Sequence, residues 1–174
     1  MPCSAAAGTA EVVVVLMGVS GSGKTTVGRA LAAELGWTFL DADDFHPAAN
    51  VARMAAGVPL TDEDRWPWLD RVVAALHERR ARGEHVVLAC SALKEAYRAR
   101  LAAAGDVRFV HLAGDRDVLA ARLASRAGHY MPASLLDSQL ATLEPPGNAV
   151  PVDIRDPVHA QVDAIVRALA PLPA

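Results

Sequence analysis

The stretch VVVVLMGVSGSGKT, residues 12–25, decides the fold of this chain. An apolar run leads into a glycine-rich turn that ends in Lys24 and Thr25. A strand that enters the pattern G-x-x-x-x-G-K-[ST] and then a helix is typical of a phosphate-binding loop. The glycines let successive backbone N–H groups point at one anion, and the helix start adds its own unpaired N–H groups. The stretch therefore predicts a site for a nucleoside triphosphate.

The residue types of this loop also indicate roles. Lys24 can reach the outer phosphates, and the Thr25 hydroxyl can ligate Mg²⁺. The residues predicted to bind ATP in the loop are Gly21, Ser22, Gly23, Lys24, Thr25 and Thr26. The alternative is a glycine-rich turn without a ligand, which the combination of strand, both fixed glycines and Lys-Thr disfavours.

Composition describes one globular domain. Of 174 residues, 52% are apolar and 21% are charged, and the formal net charge is −3, which argues against a generally basic nucleic-acid binder. No apolar run approaches the ~18 residues of a membrane span. Two cysteines, Cys3 and Cys90, are too few for a disulfide framework and predict a cytoplasmic protein. Residues 1–10 lack the features of a secretory signal and are predicted to be a disordered tail before a single domain at 11–174.

Strands and helices alternate along the chain. Strands are predicted at 12–17, 37–40, 85–90, 107–112 and 150–154. Helices are predicted at 24–35, 67–80, 93–103, 117–126, 132–143 and 157–169, with one or two further helical turns within 43–60. Apolar strands separated by helices predict an α/β fold, a five-stranded parallel sheet with helices on both faces. Functional residues are then expected at the carboxyl ends of the strands.

Two aspartates follow the second strand. Asp41 and Asp43 are two residues apart, so in an extended segment both can face the phosphate loop. The third strand ends in Cys90 and Ser91, without an acidic residue, so Asp41 is the predicted magnesium ligand beside Thr25. Asp43 is the predicted orienter and base for an accepting hydroxyl. The alternative is that the pair caps the next helix.

A long motif continues from these aspartates. It comprises Asp41, Asp43, His46-Pro47, Asn50, Val51, Arg53-Met54, Gly57, Pro59-Leu60, Asp62, Asp64-Arg65 and Pro67-Trp68-Leu69. With this motif the chain resembles the gluconate kinases of the small P-loop type. Later stretches that look like the family are 89–94, Tyr97-Arg98, 109–112, 129–132, Ser138-Gln139 and Leu143-Glu144. The resemblance covers about 13–145 and departs from the family at Ala42, where Gly is common, and at Tyr130, where Phe is common.

The resemblance implies an ATP-dependent kinase that converts D-gluconate into 6-phospho-D-gluconate with Mg²⁺. It also implies a nucleoside-monophosphate-kinase-like sheet with strands one and three adjacent, and a homodimer. The expected partners are ATP and gluconate, with no nucleic acid and no membrane.

The substrate-binding residues expected on this basis are Asp43, His46, Arg53, Arg65, Ser91, Lys94, Arg98, Arg126, His129 and Gln139. An open-chain sugar acid needs cations for its carboxylate and hydrogen-bonding groups for its hydroxyls, which these side chains supply. Several have a structural alternative. His46 can cap a turn, Arg53 can be a solvated helix residue, and Arg65 can pair with a nearby aspartate or stack on an aromatic ring.

Two arginines four residues apart, Arg122 and Arg126, share a helix face after the fourth strand. In small P-loop kinases a helix-loop-helix at this place forms a mobile lid, here at about 115–140, whose arginines meet the phosphates. The predicted catalytic residues are therefore Lys24, Asp43, Arg122 and Arg126, and Arg122 is also predicted to bind ATP. The alternative is a solvated basic face.

Two other functions compete with a gluconate kinase. One is a related kinase for shikimate, adenylylsulfate or another acid. The other is a non-catalytic nucleotide-binding regulator, which the lack of D-x-x-G and N-K-x-D sequences disfavours for a nucleotide switch.

Overall fold

The computed structural model describes residues 11–125 and 133–174. Its strands are β1 (Val12–Met17), β2 (Thr38–Asp41), β3 (Val86–Ala89), β4 (Asp106–Ala113) and β5 (Val150–Asp153). Its helices are α1 (Lys24–Leu35), α2 (Ala48–Ala55), α3 (Asp62–Ala81), α4 (Glu95–Ala102), α5 (Arg116–Ala124), α6 (Ala133–Thr142) and α7 (Val158–Leu169), and a short 3₁₀ helix, Ala42–Phe45, follows β2. Arg126, His129 and the predicted tail at 1–10 lie outside the described residues.

Within the described ranges, five strands form one parallel sheet in the order β2-β3-β1-β4-β5. This confirms the predicted α/β fold and the adjacency of the first and third strands. Every residue of β1 is buried. Leu16 belongs to the core on one face of the sheet, and Met17 belongs to the core on the other face. Burial on both faces explains the continuous apolar run that opens the chain.

Helix α3 begins earlier than predicted, so the predicted start at residue 67 is wrong. Thr61 and Asp64 form a capping box: Thr61 Oγ1 accepts from the Asp64 N–H at 3.2 Å, and Asp64 Oδ2 accepts from the Thr61 N–H at 2.9 Å. Pro67 therefore lies inside the helix, where it removes one backbone hydrogen bond. The additional first turn carries Asp62 and Arg65 into the cleft described below.

The remaining strands and helices begin and end within two residues of the predicted positions. Differences of this size reflect fraying and capping at element ends. None of the helices in the part of the chain that is described combines the length and apolar character needed to cross a membrane.

Candidate active site

A cleft of about 470 Å³ opens at the carboxyl ends of β1, β2 and β3. Its walls include Lys24 of the phosphate loop, Asp43 and His46 after β2, Ser91 and Lys94 after β3, and Gln139 of α6. Because the strands are parallel, the segments that follow them meet at one edge of the sheet. This is how residues far apart in sequence come to share one cleft.

The phosphate loop has a backbone that favours glycine. Gly21 and Gly23 have φ of 84° and 94°. A Cβ added to Gly21 would lie 3.0 Å from Leu123 Cγ of α5, whereas a Cβ added to Gly23 would meet nothing nearer than 3.8 Å. Gly21 thus permits close packing of α5, whereas a Cβ at Gly23 would make only ordinary van der Waals contacts, so Gly23 is required by its backbone conformation. Lys24 Nζ donates to the Val19 carbonyl at 3.1 Å.

Three further loop residues were predicted to bind ATP. Thr25 and Thr26 are exposed on the first turn of α1. Ser22 is fully buried at the base of the loop, and its Oγ has no hydrogen-bond partner among the described residues. The two threonines are therefore accessible to a ligand at the start of α1, and the Ser22 hydroxyl is not.

Asp41 links the phosphate loop to the segment after β2. Thr25 Oγ1 donates to Asp41 Oδ2 at 2.8 Å, and Asp41 Oδ1 accepts from the Asp43 N–H at 3.1 Å. The second bond caps the 3₁₀ helix. Asp41 therefore caps this helix with one carboxylate oxygen and contacts Thr25 with the other. In residues 11–125 and 133–174 no cluster of three or more His, Cys, Asp or Glu side chains could hold a metal. A hydroxyl and one carboxylate are oxygen donors that fit Mg²⁺, which kinases bind through few protein ligands, phosphates and water.

Asp43 lies in the cleft with a side chain that is 79% exposed to the solvent there. It lines the concave surface of the cleft together with Lys24 and Arg65. Loss of hydration raises the pKa of Asp43 above its ordinary value, and the negative charge of Asp41 adds to this, although Lys24 and Arg65 act in the opposite direction. A carboxylate with a raised pKa is a better proton acceptor than an ordinary aspartate.

His46 forms part of the cleft wall as a neutral side chain. Its ring stacks on Trp68 with centroids 4.2 Å apart, and its side chain is 3% exposed. Burial, together with the positive charge of Arg65, lowers the pKa of His46 to about 4. Nδ1 lies 3.4 Å from the amide nitrogen of Asn50, which can only donate, so the hydrogen-bond network assigns the proton to Nε2. Nε2 lies 3.8 Å from Asp43 Oδ1.

Lys94, a predicted substrate residue, is paired with an acid in this structure. Its Nζ lies 2.9 Å and 3.0 Å from the two carboxylate oxygens of Asp62, which also accepts from the Tyr97 hydroxyl. These hydrogen bonds, the one from Tyr97 first, lower the pKa of Asp62. Sequence reasoning did not find Asp62 and Tyr97 as cleft residues. Tyr97 stands in one of the stretches that look like the family, which was the available signal.

Arg53 and Arg65, both predicted to bind substrate, differ in their position relative to the cleft. Arg65 lines the cleft with its guanidinium carbon 5.5 Å from the centroid of the Tyr97 ring, and it makes no ion pair within the described residues. Arg53 instead pairs with Asp64 at 3.4 Å, and its side chain is 44% exposed. Arg53 is not among the described residues that line the cleft.

Arg98 was predicted to bind substrate, but the structure places it away from the cleft. It is buried, and its Nη1 donates to the carbonyls of Ala92 at 2.9 Å and Leu93 at 3.1 Å. Four positions separate Lys94 from Arg98, a spacing that places two side chains on one face when both residues are helical. Lys94 is the extended residue before α4, so the helical spacing does not apply. Arg98 thus stabilises the loop between β3 and α4.

Arg122 lies beside the phosphate loop. It donates to the carbonyl of Ile154 after β5, and its Nη1 lies 3.8 Å from the position of a Cβ added to Gly23. This places its charge next to Gly23 of the phosphate loop. The second predicted lid arginine, Arg126, and the predicted substrate residue His129 are outside the described residues.

Gln139 of α6 contacts the phosphate loop directly. Its Oε1 accepts from the Ser20 N–H at 2.7 Å, and its Nε2 donates to Ser20 Oγ at 3.1 Å. Sequence reasoning predicted Gln139 as a substrate residue and did not find Ser20. No periodicity connects residues so far apart in the chain, so only the folded structure reveals this pair.

Comparisons with known proteins agree with this architecture. A family model described as an AAA domain matches residues 13–146. The gluconokinase of Gluconobacter oxydans (strain 621H) is 54% identical over 142 residues, which cover 80% of this chain and 79% of that protein. The crystal structure of a gluconokinase from Sinorhizobium meliloti 1021 is 46% identical, with a TM-score of 0.81 over 92% of this chain and 93% of that one. A shikimate kinase from Bacteroides thetaiotaomicron, 19% identical with a TM-score of 0.61 over 91% of this chain and 98% of that one, shares the fold alone.

Proposed function

Because the chain belongs to the gluconokinase family, we propose that it transfers the γ-phosphate of ATP to D-gluconate, giving 6-phospho-D-gluconate and ADP. The observation that supports this most is the cleft itself. It joins Lys24 of the phosphate loop to a wall where Arg65 makes no ion pair within the described residues. A nucleotide site and a cation for an organic acid are therefore neighbours.

The cleft suits an open-chain polyol acid. We assign the substrate carboxylate to Arg65, because Lys94 is already neutralised by Asp62. A guanidinium can bind a carboxylate through two parallel hydrogen bonds. We assign the substrate hydroxyls to the mixed donors and acceptors of Asp62, Lys94 and Ser91. We place C6, the carbon that receives the phosphate, at Asp43, which lines the cleft with Lys24 of the phosphate loop.

In the transfer step, the C6 hydroxyl oxygen forms a bond to the γ-phosphorus while the bond from that phosphorus to the bridging oxygen of ADP breaks. The hydroxyl proton passes to Asp43, and the leaving electron pair stays on ADP. Phosphoryl transfer is loose, so positioning and charge stabilisation contribute more than base strength. Lys24 and Arg122 supply positive charge at the phosphates, and His46 Nε2–H faces Asp43 from the cleft wall.

Mg²⁺, when bound, neutralises phosphate charge during transfer. We propose that Thr25 and Asp41 hold it, because their side chains already meet at 2.8 Å beside the loop. Asp41 also accepts a hydrogen bond from the backbone N–H of Asp43. The residue assigned to the metal therefore helps to position the residue assigned to the accepting hydroxyl. The predicted homodimer and cytoplasmic location stay predictions.

The test is ADP release with a panel of acceptors: gluconate, shikimate, adenylylsulfate and no acceptor. The expected result is rapid ADP release with gluconate and little with the others. The Lys24→Ala variant controls for contaminating kinases, because it removes the cation nearest the transferred phosphate. A higher kcat/KM for shikimate or adenylylsulfate than for gluconate would replace this function with that of the preferred acceptor.

A further inference from the structure

The contact between Gln139 and Ser20 joins a helix beyond β4 to the phosphate loop. Both residues line the cleft, so the contact lies where the nucleotide and acceptor sites meet. One side-chain amide satisfies both a backbone N–H and a hydroxyl of the same residue. A neutral amide can do this because it accepts through its oxygen and donates through its nitrogen.

Helix α6 also contacts the core and helix α5, away from the cleft. Leu136 anchors it in the core. Asp137 binds Arg116 of α5 through two hydrogen bonds, at 2.6 Å and 3.1 Å.

Just after α6, Glu144 reaches the loop between β3 and α4. Its N–H donates to the Leu93 carbonyl at 2.9 Å, and its carboxylate accepts from the Glu95 N–H at 2.6 Å. The segment from Gln139 to Glu144 therefore spans from the phosphate loop to the loop that carries Ser91 and Lys94.

We infer that Gln139 is a positioning residue, which holds Ser20 and so aligns the phosphate loop with the acceptor cleft; this rests on the proposed function. The two hydrogen bonds fix Ser20 relative to α6. Glu144 fixes the end of the segment 139–144 to the loop between β3 and α4, which carries Ser91 and Lys94. A small misplacement between γ-phosphate and acceptor lowers the rate of transfer while leaving both substrates bound. The role is distinct from the direct substrate contact predicted from sequence.

The test compares Gln139→Met and Gln139→Glu with the unmodified protein. Gln139→Met keeps the side-chain length and removes both hydrogen bonds, so kcat is expected to fall about tenfold, the scale of one to two hydrogen bonds. KM for ATP and for gluconate should change less than about twofold, since neither substrate loses a contact. Gln139→Glu keeps an acceptor for the Ser20 N–H but puts a negative charge beside the phosphate site, so kcat should fall further.

Two controls isolate the contact. Ser20→Ala removes one of the two hydrogen bonds, so its cost in kcat should be smaller in the Gln139→Met background than in the unmodified protein. Asp137→Asn changes the neighbouring residue of the same helix and breaks only a half-exposed ion pair with Arg116, so kcat should be retained.

Several results would overturn the inference. A rise in the KM for gluconate alone would make Gln139 a substrate ligand. A lower melting temperature with normal kcat would show that Gln139 has only a structural role. If the effects of Ser20→Ala and Gln139→Met on kcat were additive, the two residues would not be coupled. Absence of gluconate-dependent turnover in the unmodified protein would reject the proposed function and this inference with it, whereas normal kcat in Gln139→Met would reject the inference alone.

Discussion

Arg65 and Arg53 provide a matched pair of arginines twelve residues apart, one in the cleft and one outside it. Arg65→Met should raise the KM for gluconate about ten- to a hundredfold, the scale of a lost charged hydrogen bond. Arg53→Met removes only a half-exposed ion pair with Asp64 and should change that KM less than about threefold. Initial rates at varied gluconate and varied ATP measure both effects.

The KM for ATP is the internal control for this pair, because neither arginine is assigned to the nucleotide. Equal losses in the two variants would show that the carboxylate is not recognised by Arg65. A parallel loss for ATP in Arg65→Met would indicate a general distortion of the cleft.

Asp41 and Asp43 are expected to differ in their dependence on Mg²⁺. Asp41→Asn should raise the Mg²⁺ concentration required for half-maximal activity, because it removes the carboxylate charge beside Thr25. Asp43→Asn should lower kcat with gluconate while Mg-ATP binding stays nearly normal, because Asp43 is assigned to the accepting hydroxyl. Magnesium titrations of activity, together with ATP binding by calorimetry, separate the two roles. An unchanged Mg²⁺ requirement in Asp41→Asn, or full turnover in Asp43→Asn, would contradict the assignment.

The buried His46 predicts how stability changes with pH. Its pKa is about 4 in the folded protein against 6.5 ordinarily. Between these values the unfolded chain binds a proton that the folded protein does not, so the free energy of unfolding should fall as pH falls through this window. His46→Gln should make that fall less steep, as measured by urea unfolding across the window. The pKa of His111 is also lowered, but it contributes equally to both proteins and cancels in the comparison. Identical slopes would mean that His46 is not neutral in the fold.

The role of a side chain can be predicted from sequence where a motif or a regular element determines the position of its backbone. The meeting of Thr25 with Asp41 was predicted, because the loop motif and the end of a strand fix both backbones. The role of Arg98 was not, because the spacing rule failed where Lys94 precedes the helix. The pairing of Lys94 with Asp62 could not be predicted, since three acids lie close together at 62–64 and only packing selects among them.

At the scale of elements, the N-terminus of α3 connects stability to substrate binding. Thr61 caps the helix whose first turn carries Asp62 and Arg65 into the cleft. Thr61→Ala should lower the free energy of unfolding by ~1 kcal/mol and raise the KM for gluconate. Thr61→Ser keeps the hydroxyl that accepts from the Asp64 N–H and is the matched control. Urea unfolding and initial rates test this, and an unchanged KM in Thr61→Ala would separate the cap from the cleft.

The elements themselves were largely predictable. Strand β1 and helix α1 begin and end as predicted, because an apolar run and the loop motif delimit them. The start of α3 was missed because proline is favoured in the first turn of a helix, so Pro67 indicates a start near residue 67. The sequence T-D-E-D at 61–64 holds a capping box with Asp in place of the usual Glu or Gln, and that signal competes with the proline.

At the scale of the whole molecule, the layered fold follows from the alternation of apolar strands and helices. The adjacency of β1 and β3 came from the family resemblance rather than from periodicity, since no local pattern determines strand order. This topology also brings the phosphate loop and α6 together at the cleft. It brings Ser20 and Gln139 together across 119 positions of sequence.

The central claim is that this cleft phosphorylates gluconate at C6. The most direct measurement is NMR of the product formed from ATP and gluconate that is isotopically labelled at C6. The account predicts one ADP for each phosphate ester, with a phosphorus–carbon coupling at C6. A phosphate ester at another carbon, or free phosphate released at the same rate without gluconate, would contradict it.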